Sequence, residues 1–291
     1  MRTNYNNFLF IIFTYFLITN LACFNQSIEL ENAQSKNIEF LINKGKSFWE
    51  QRSDSNAVKK ANYFFGQAIK VEKNNIEFST LYSQSLFFEA LFLEPDQNKK
   101  DSLLFKGSEI AKNSILNDNN FITILNKTEG DSSFKIISAL STADRNFIPR
   151  MYWWATNKLW YLNNKPAIER VNQRELLEVI MHRVIALEPE YLFGGPFRFF
   201  GVFYTRIPGI DVEQSKNYFE KAIKSYPTYL GNMVQMAEFY HQKKENRDLF
   251  QKQLKSALNI DPTINPKVIP ENIFYQHRAS YLLDQEQTLF E

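Results

Sequence analysis

Catalysis needs acids, bases, nucleophiles or metal ligands that converge on one spot, and this sequence has few groups able to converge. It holds three histidines, His182, His241 and His277, and a single cysteine, Cys23. Each histidine falls on a separate predicted helix, and none has metal-ligand spacing. No Gly-x-Ser-x-Gly elbow, phosphate loop or dinucleotide fingerprint occurs, so the sequence predicts no catalytic residue, no metal site and no cofactor. What it concentrates instead is aromatic side chains beside isolated cations. Trp153, Trp154, Trp160 and Tyr161 lie with Asn157 and Lys158 on one predicted helix, 151–161. At helical spacing Trp153, Asn157 and Trp160 share a face, and Trp154, Lys158 and Tyr161 share the adjacent one. Arg198 stands among seven aromatics between Tyr191 and Tyr204.

Such a set suits the wall of a ligand channel, with Lys158 offering charge to an acidic solute, or an aromatic docking surface for a protein. The same residues would also make a packed core, with Lys158 reaching water along its stem and Arg198 held by a carboxylate or by backbone carbonyls. The candidate lining residues are Trp153, Trp154, Asn157, Lys158, Phe197, Arg198 and Tyr204.

These residues are positioned by the most punctuated stretch of the chain, 191–209, which holds four of nine glycines and two of ten prolines. Gly194 and Gly195 follow a helical pattern ending at Leu187 and supply the left-handed conformation that turns a chain out of a helix. Pro196 restarts a helix, since its missing N–H would lack a partner in the first turn anyway. Phe197, Phe200, Gly201 and Tyr204 share one face of that helix while Phe199 and Phe203 line another, so it is predicted to be buried between neighbours. Gly201 allows a partner helix to approach closely. Pro208 and Gly209 end the segment, and Asp211 is placed to cap the next helix.

A length of 291 residues allows one elongated or two ordinary domains. Scarce glycine beside 27 phenylalanines favours helices with large side chains at their contacts over a β-sandwich. With 34 Lys and Arg interspersed among 32 Asp and Glu, no basic block marks a nucleic-acid partner. The start carries an address. Arg2 is the only charge before Glu29, the run 8–18 is apolar and of signal-peptide length, and Leu21-Ala22-Cys23 resembles a bacterial lipobox despite Asn20. The resemblance implies a lipoprotein-type signal peptide over 1–22, a lipid on Cys23 and a polar tether over 23–36.

From there the apolar spacing predicts helix after helix: 38–49, 57–69, 76–93, 101–116 and 134–143, with 117–133 a loop or short-helix insertion. The second half repeats. Ile185 to Pro189, Ile223 to Pro227 and Leu258 to Pro262 are each a helix running into proline, 38 and then 35 residues apart. That period points to tetratricopeptide repeats. Ala61, Phe65 and Ala68 fit the same second-helix pattern, and 271–290 reads as a closing helix. The expected fold is therefore all-α, a tetratricopeptide-like helical-hairpin solenoid with extra helices over a single domain, 37–291.

Several segments resemble the T component of TRAP transporter systems: Phe48 to Arg52, Pro149 to Trp154, Phe193 to Gly201 with Pro208-Gly209, Ala237 to Tyr240 with Asp248 to Phe250, and the ending Leu289-Phe290. The resemblance implies a periplasmic lipoprotein anchored to a bacterial membrane, a homotrimer whose protomers each hold a ligand-accessible channel, and docking to a separate solute-binding protein that feeds a permease. It implies an accessory subunit of solute import rather than an enzyme. A periplasmic tetratricopeptide scaffold with no ligand is the alternative.

Overall fold

The computed structural model describes residues 35–291. The predicted signal peptide, Cys23 and most of the tether lie outside the described residues; the tether's last two residues, Ser35 and Lys36, already belong to the first helix. All secondary structure among the described residues is helical, and none of these helices is long and apolar enough to cross a membrane.

The order is α1 (35–50), α2 (Ser55–Val71), α3 (Ile76–Phe88), α4 (Gln97–Leu116), α5 (Asn119–Lys127), α6 (Ser132–Thr142), α7 (Ile148–Leu162), α8 (Ala167–Asn172), α9 (Arg174–Leu187), α10 (Tyr191–Arg206), α11 (Glu213–Ser225), α12 (Leu230–Gln235), α13 (Arg247–Leu258), α14 (Ile269–Asp284) and α15 (Glu286–Leu289). Two π-helical turns extend helices, Glu89–Leu93 after α3 and Met236–His241 after α12. Many starts are set by one device. Asp54, Asn75, Asp96, Asp118, Asp131 and Asn246 each accept a backbone N–H of the following first turn through the side chain, satisfying one of the donors a helix start leaves open.

The insertion predicted at 117–133 holds α5, and the closing helix starts at Ile269 and breaks at Gln285. Helix α4 begins at Gln97 rather than at 101, because Asp96 caps it. Helix α4 packs on α7 although two short helices separate them in sequence, α10 packs on α11, and α12 and α13 both pack on α14. Three apolar clusters result. One is centred on α7, α9 and α10, one on α12 to α14, and one, including Ile42, Phe65, Tyr82 and Leu86, on α1 to α3.

The glycine-proline stretch differs from its expectation in register. Helix α9 does end at Leu187, but the left-handed residues are Leu192 (φ 45°), Phe193 (φ 61°) and Gly194 (φ 74°), two positions earlier than the glycines alone indicate. Gly195 is back in right-handed helix, and its missing Cβ serves packing instead: a Cβ there would lie 2.6 Å from the Tyr152 hydroxyl. Pro196 stands in the restarted helix. A Cβ on Gly201 would lie 2.7 Å from the Phe219 ring, which is how α11 comes close to α10. Past Pro208, Gly209 takes φ 79°. Asp211 accepts the N–H of Glu213, the first residue of α11.

Candidate functional site

Between α3, α7, α10 and α14 lies a cavity of about 350 Å³, within the size range of small-molecule sites. Its wall is aromatic. From α7 come Tyr152, Trp153 and Trp160; from α3 and the π turn after it, Phe87, Phe88 and Phe92; from α10, Phe193 and Phe199; and from beyond α11, Tyr229 and Tyr275. The rings brace one another tilted or edge to face: Phe87 on Trp153 at 5.4 Å, Phe88 on Phe92 at 4.9 Å, Phe92 on Tyr275 at 5.1 Å. Such pairs hold the wall open because each ring is already packed on its neighbours. Phe88 and Phe92, four residues apart, share the face that meets the cavity, and the π turn between Glu89 and Leu93 is of a kind that recurs at functional sites.

Two polar stations interrupt the wall. At one, Arg52, just past α1, donates to both carboxylate oxygens of Glu271 on α14, at 2.9 and 3.0 Å, and to the Lys267 carbonyl at 2.9 Å, with its guanidinium 5.1 Å from the Trp49 ring. At the other, Arg198 is buried, 8% exposed, 4.5 Å from the Tyr229 ring. It donates to Asn232 Oδ1 at 2.7 Å, to the carbonyls of Phe193 (3.2 Å) and Leu192 (3.5 Å), and to the Tyr152 hydroxyl at 3.4 Å. Burial opposes the Arg198 charge, but the hydroxyls of Tyr229, Tyr152 and Tyr275 raise its pKa above the ordinary value, so it stays a cation. Burial pushes Tyr229 up to about 12 and Tyr275 well above the usual phenol value, so neither supplies a counter-ion near neutrality.

The left-handed turn and Arg198 explain each other. Leu192 and Phe193 adopt a conformation that side-chain-bearing residues rarely take, at a cost of about 1–3 kcal/mol each. Their carbonyls are aimed at the Arg198 guanidinium, and Asn232 Nδ2 is a second donor to the Phe193 carbonyl, at 3.3 Å. The Phe193 ring stacks on Tyr229 with centroids 5.5 Å apart.

Of the seven predicted lining residues, the cavity brings together Trp153 and Arg198. The other five lie outside it. Trp154 is 3% exposed within the central apolar cluster, because helical spacing turns it away from Trp153. Asn157 is fully buried between helices, donating to the carbonyls of Ser83 and Trp153. Lys158 lies over Phe105 and Tyr161 on the side facing α4, and burial lowers its pKa. Phe197 and Tyr204 point to α11, where both meet Tyr218. The offset arises because the left-handed turn sets the phase of α10. The face that reaches the cavity carries Gly195, Arg198, Phe199 and Val202, not the Phe197 to Tyr204 face.

Sequence reasoning did not pair Arg52 with Glu271, 219 positions away, and did not find Tyr229, Tyr275 or the phenylalanines 87, 88 and 92. The signal available was Phe48 to Arg52, a segment that carries the resemblance and also ends on the wall. Two buried polar atoms of wall residues, Trp153 Nε1 and Thr156 Oγ1, find no protein partner. His182 sits on the Phe200 ring at 4.5 Å, and His241 is held by Gln253 at 3.1 Å. Among the described residues no group of three or more His, Cys, Asp or Glu is placed to hold a metal ion.

No curated protein matches the chain. A family model does, over residues 93–290, about two thirds of the sequence and all of the wall from α7 onward. On that match the chain belongs to the TRAP transporter T-component family.

Proposed function

We propose that the chain is the accessory, non-enzymatic subunit of a TRAP-type solute import system and that its aromatic cavity takes a small, largely apolar ligand. One observation carries this reading: a braced cavity of about 350 Å³ walled by aromatic side chains and a buried arginine. A protein that only needed a core would fill that space, since interiors pack to near crystal density. The unpartnered Trp153 and Thr156 polar atoms add support, because an unmade buried hydrogen bond costs about 1–3 kcal/mol.

In this reading the chain is a lipoprotein, anchored through Cys23 to a bacterial membrane and facing the periplasm. It assembles as a homotrimer and docks a solute-binding protein. The successive pairing of α10 with α11, and of α12 and α13 with α14, supports a tetratricopeptide-like stacking of one domain. The test is isolation of the full chain from its own envelope in mild detergent, followed by native mass measurement. Expected are a mass three times the monomer, a co-purified solute-binding protein and a small molecule released on denaturation. A lone monomer with an empty cavity refutes the assignment.

A second reading, a scaffold without ligand, is favoured by a groove of about 450 Å³ lined by Lys224, Met233, Met236, Leu249 and Lys252, where Leu249 is exposed. Partner binding that survives filling of the aromatic cavity favours it.

A further inference from the structure

We infer that the first helical hairpin, α1 with α2, lies on an anionic lipid surface through an aromatic face edged by Lys44 and Lys60. This rests on the reading of the chain as a lipoprotein and goes beyond the anchor: the folded body itself contacts the bilayer.

The hairpin has more apolar surface than its core uses. Ile42 of α1 and Ala61, Phe65 and Ala68 of α2 are buried among the first three helices. Phe40 and Tyr63 are left 52% and 61% exposed, with Phe48 and Phe64 half-buried beside them. The four rings form one patch around Phe64, which stacks on Phe48 at 5.7 Å and meets Phe40 at 6.3 Å and Tyr63 at 5.4 Å edge to face. Exposed aromatics scattered singly need no explanation, whereas a contiguous set marks an interaction surface.

Charge says what covers it. The Lys44 ammonium lies 6.0 Å from the Phe40 ring and that of Lys60 lies 5.3 Å from the Phe48 ring, so both edge the patch. Among the described residues neither lysine forms an ion pair. The carboxylates of α1, Glu39 and Glu50, fall at helical spacing on its other flank, with Lys46, which pairs with Glu77. Helix α2 contains no acid. From 35 to 71, seven Lys and Arg stand against three Asp and Glu, in a chain whose net charge is only +2. A protein partner fits this less well, because protein interfaces favour Arg and are poor in Lys. Phenylalanine, tyrosine and lysine side by side suit the headgroup layer of a bilayer, where rings enter the acyl boundary and ammonium groups meet anionic phosphates.

Position supplies an independent argument. Helix α1 is the first element after Cys23, with residues 24–34 between them. Those eleven residues span at most about 40 Å. A lipid at Cys23 therefore holds the hairpin at high local concentration over the surface the lipid enters, where a modest affinity for headgroups is enough to dock it.

The experiment takes the full chain from its own envelope, with the mass of its Cys23 peptide recorded. It is reconstituted into vesicles of phosphatidylcholine alone, or of phosphatidylcholine and phosphatidylglycerol in equal parts. A nitrobenzoxadiazole fluorophore is attached at Asn37→Cys, on the Phe40 flank of α1, or at Asn43→Cys, on the Glu39 flank. Expected is a blue shift at position 37 that is larger with phosphatidylglycerol, independent of protein density and small at position 43. Lys44→Gln with Lys60→Gln should cancel the phosphatidylglycerol gain, since each lysine contributes about fivefold in surface affinity. Phe40→Ser with Tyr63→Ser, both exposed, should cancel the shift in both vesicles at unchanged circular dichroism. Equal shifts in the two vesicle types overturn the inference, and their growth with protein density assigns the patch to a second copy of the chain instead. Absence of any shift with a lipid present on Cys23 overturns the docking and leaves the lipoprotein reading standing. An unmodified Cys23 removes both.

Discussion

Arg52 and Glu271 join the first helix of the described structure to the last long one, by two parallel hydrogen bonds of 2.9 and 3.0 Å between residues 219 positions apart. Each side chain is 13–14% exposed, so the pair is shielded well beyond an ordinary surface ion pair. Arg52→Ala should lower stability by about 2 kcal/mol and raise amide exchange in α1 before the rest of the chain. Uniform exchange across α1 and α7 would show that the pair does not hold α1 down.

Trp153 and Trp154 give a contrast between neighbours. Trp154 sits in the central cluster, so Trp154→Ala should cost about 3–5 kcal/mol. Trp153 has the cavity on one side and fewer atoms to lose, so its truncation should cost less while weakening any ligand. Thermal denaturation of the two variants decides this, and a larger loss for Trp153 contradicts it.

Gly194 takes φ 74°, and a Cβ there would lie 3.2 Å from Ala222 Cα and 3.3 Å from its carbonyl oxygen. Backbone cannot move aside as a flexible side chain can. Gly194→Ala should cost at least about 1–2 kcal/mol from the left-handed conformation alone, and chemical denaturation should show a lower midpoint at unchanged slope.

Arg150 is 1% exposed, and Asp118 is the carboxylate it pairs with; Nε and Nη2 have no protein partner. Burial lowers the Arg150 pKa and the Asp118 contact raises it in part. Asp118→Asn leaves a buried charge uncompensated and should cost about 3–5 kcal/mol, while keeping a side-chain oxygen to cap α5. A loss below 1 kcal/mol would mean that water reaches the guanidinium.

His241 is buried, and burial lowers its pKa below the ordinary 6.5. The unfolded chain then binds the proton more readily than the folded one just below pH 6.5, so stability is present above that pH and falls as pH drops through the folded value. His182 shifts in the same direction for the same first cause. The denaturation midpoint should decline on acidification from pH 6.5, and His241→Gln should flatten that decline.

The helices were legible because apolar spacing at the 3.6 period is a local property, and α2, α9, α11 and α13 show it plainly. Leu187 and Pro196 likewise mark boundaries through local chemistry. The site was only half legible, for two physical reasons. The phase of α10 is set by Leu192 and Phe193, whose left-handed backbone no propensity foretells and which Arg198 and Asn232 stabilise from a distance. The opposite wall is assembled from α3 and α14, and no pattern within either segment records that Phe92 will stack on Phe274 at 5.3 Å.

The cavity wall is drawn from both ends of the described chain. Trp49, Arg52, Gln84, Phe87, Phe88 and Phe92 come from its first three helices and the turns after them, whereas Tyr152 through Tyr275 come from α7 onward. The two panels meet where Arg52 holds Glu271 and where Phe88 and Phe92 pack on Phe274. A chain emerging residue by residue therefore cannot close this chamber until its last long helix has been made.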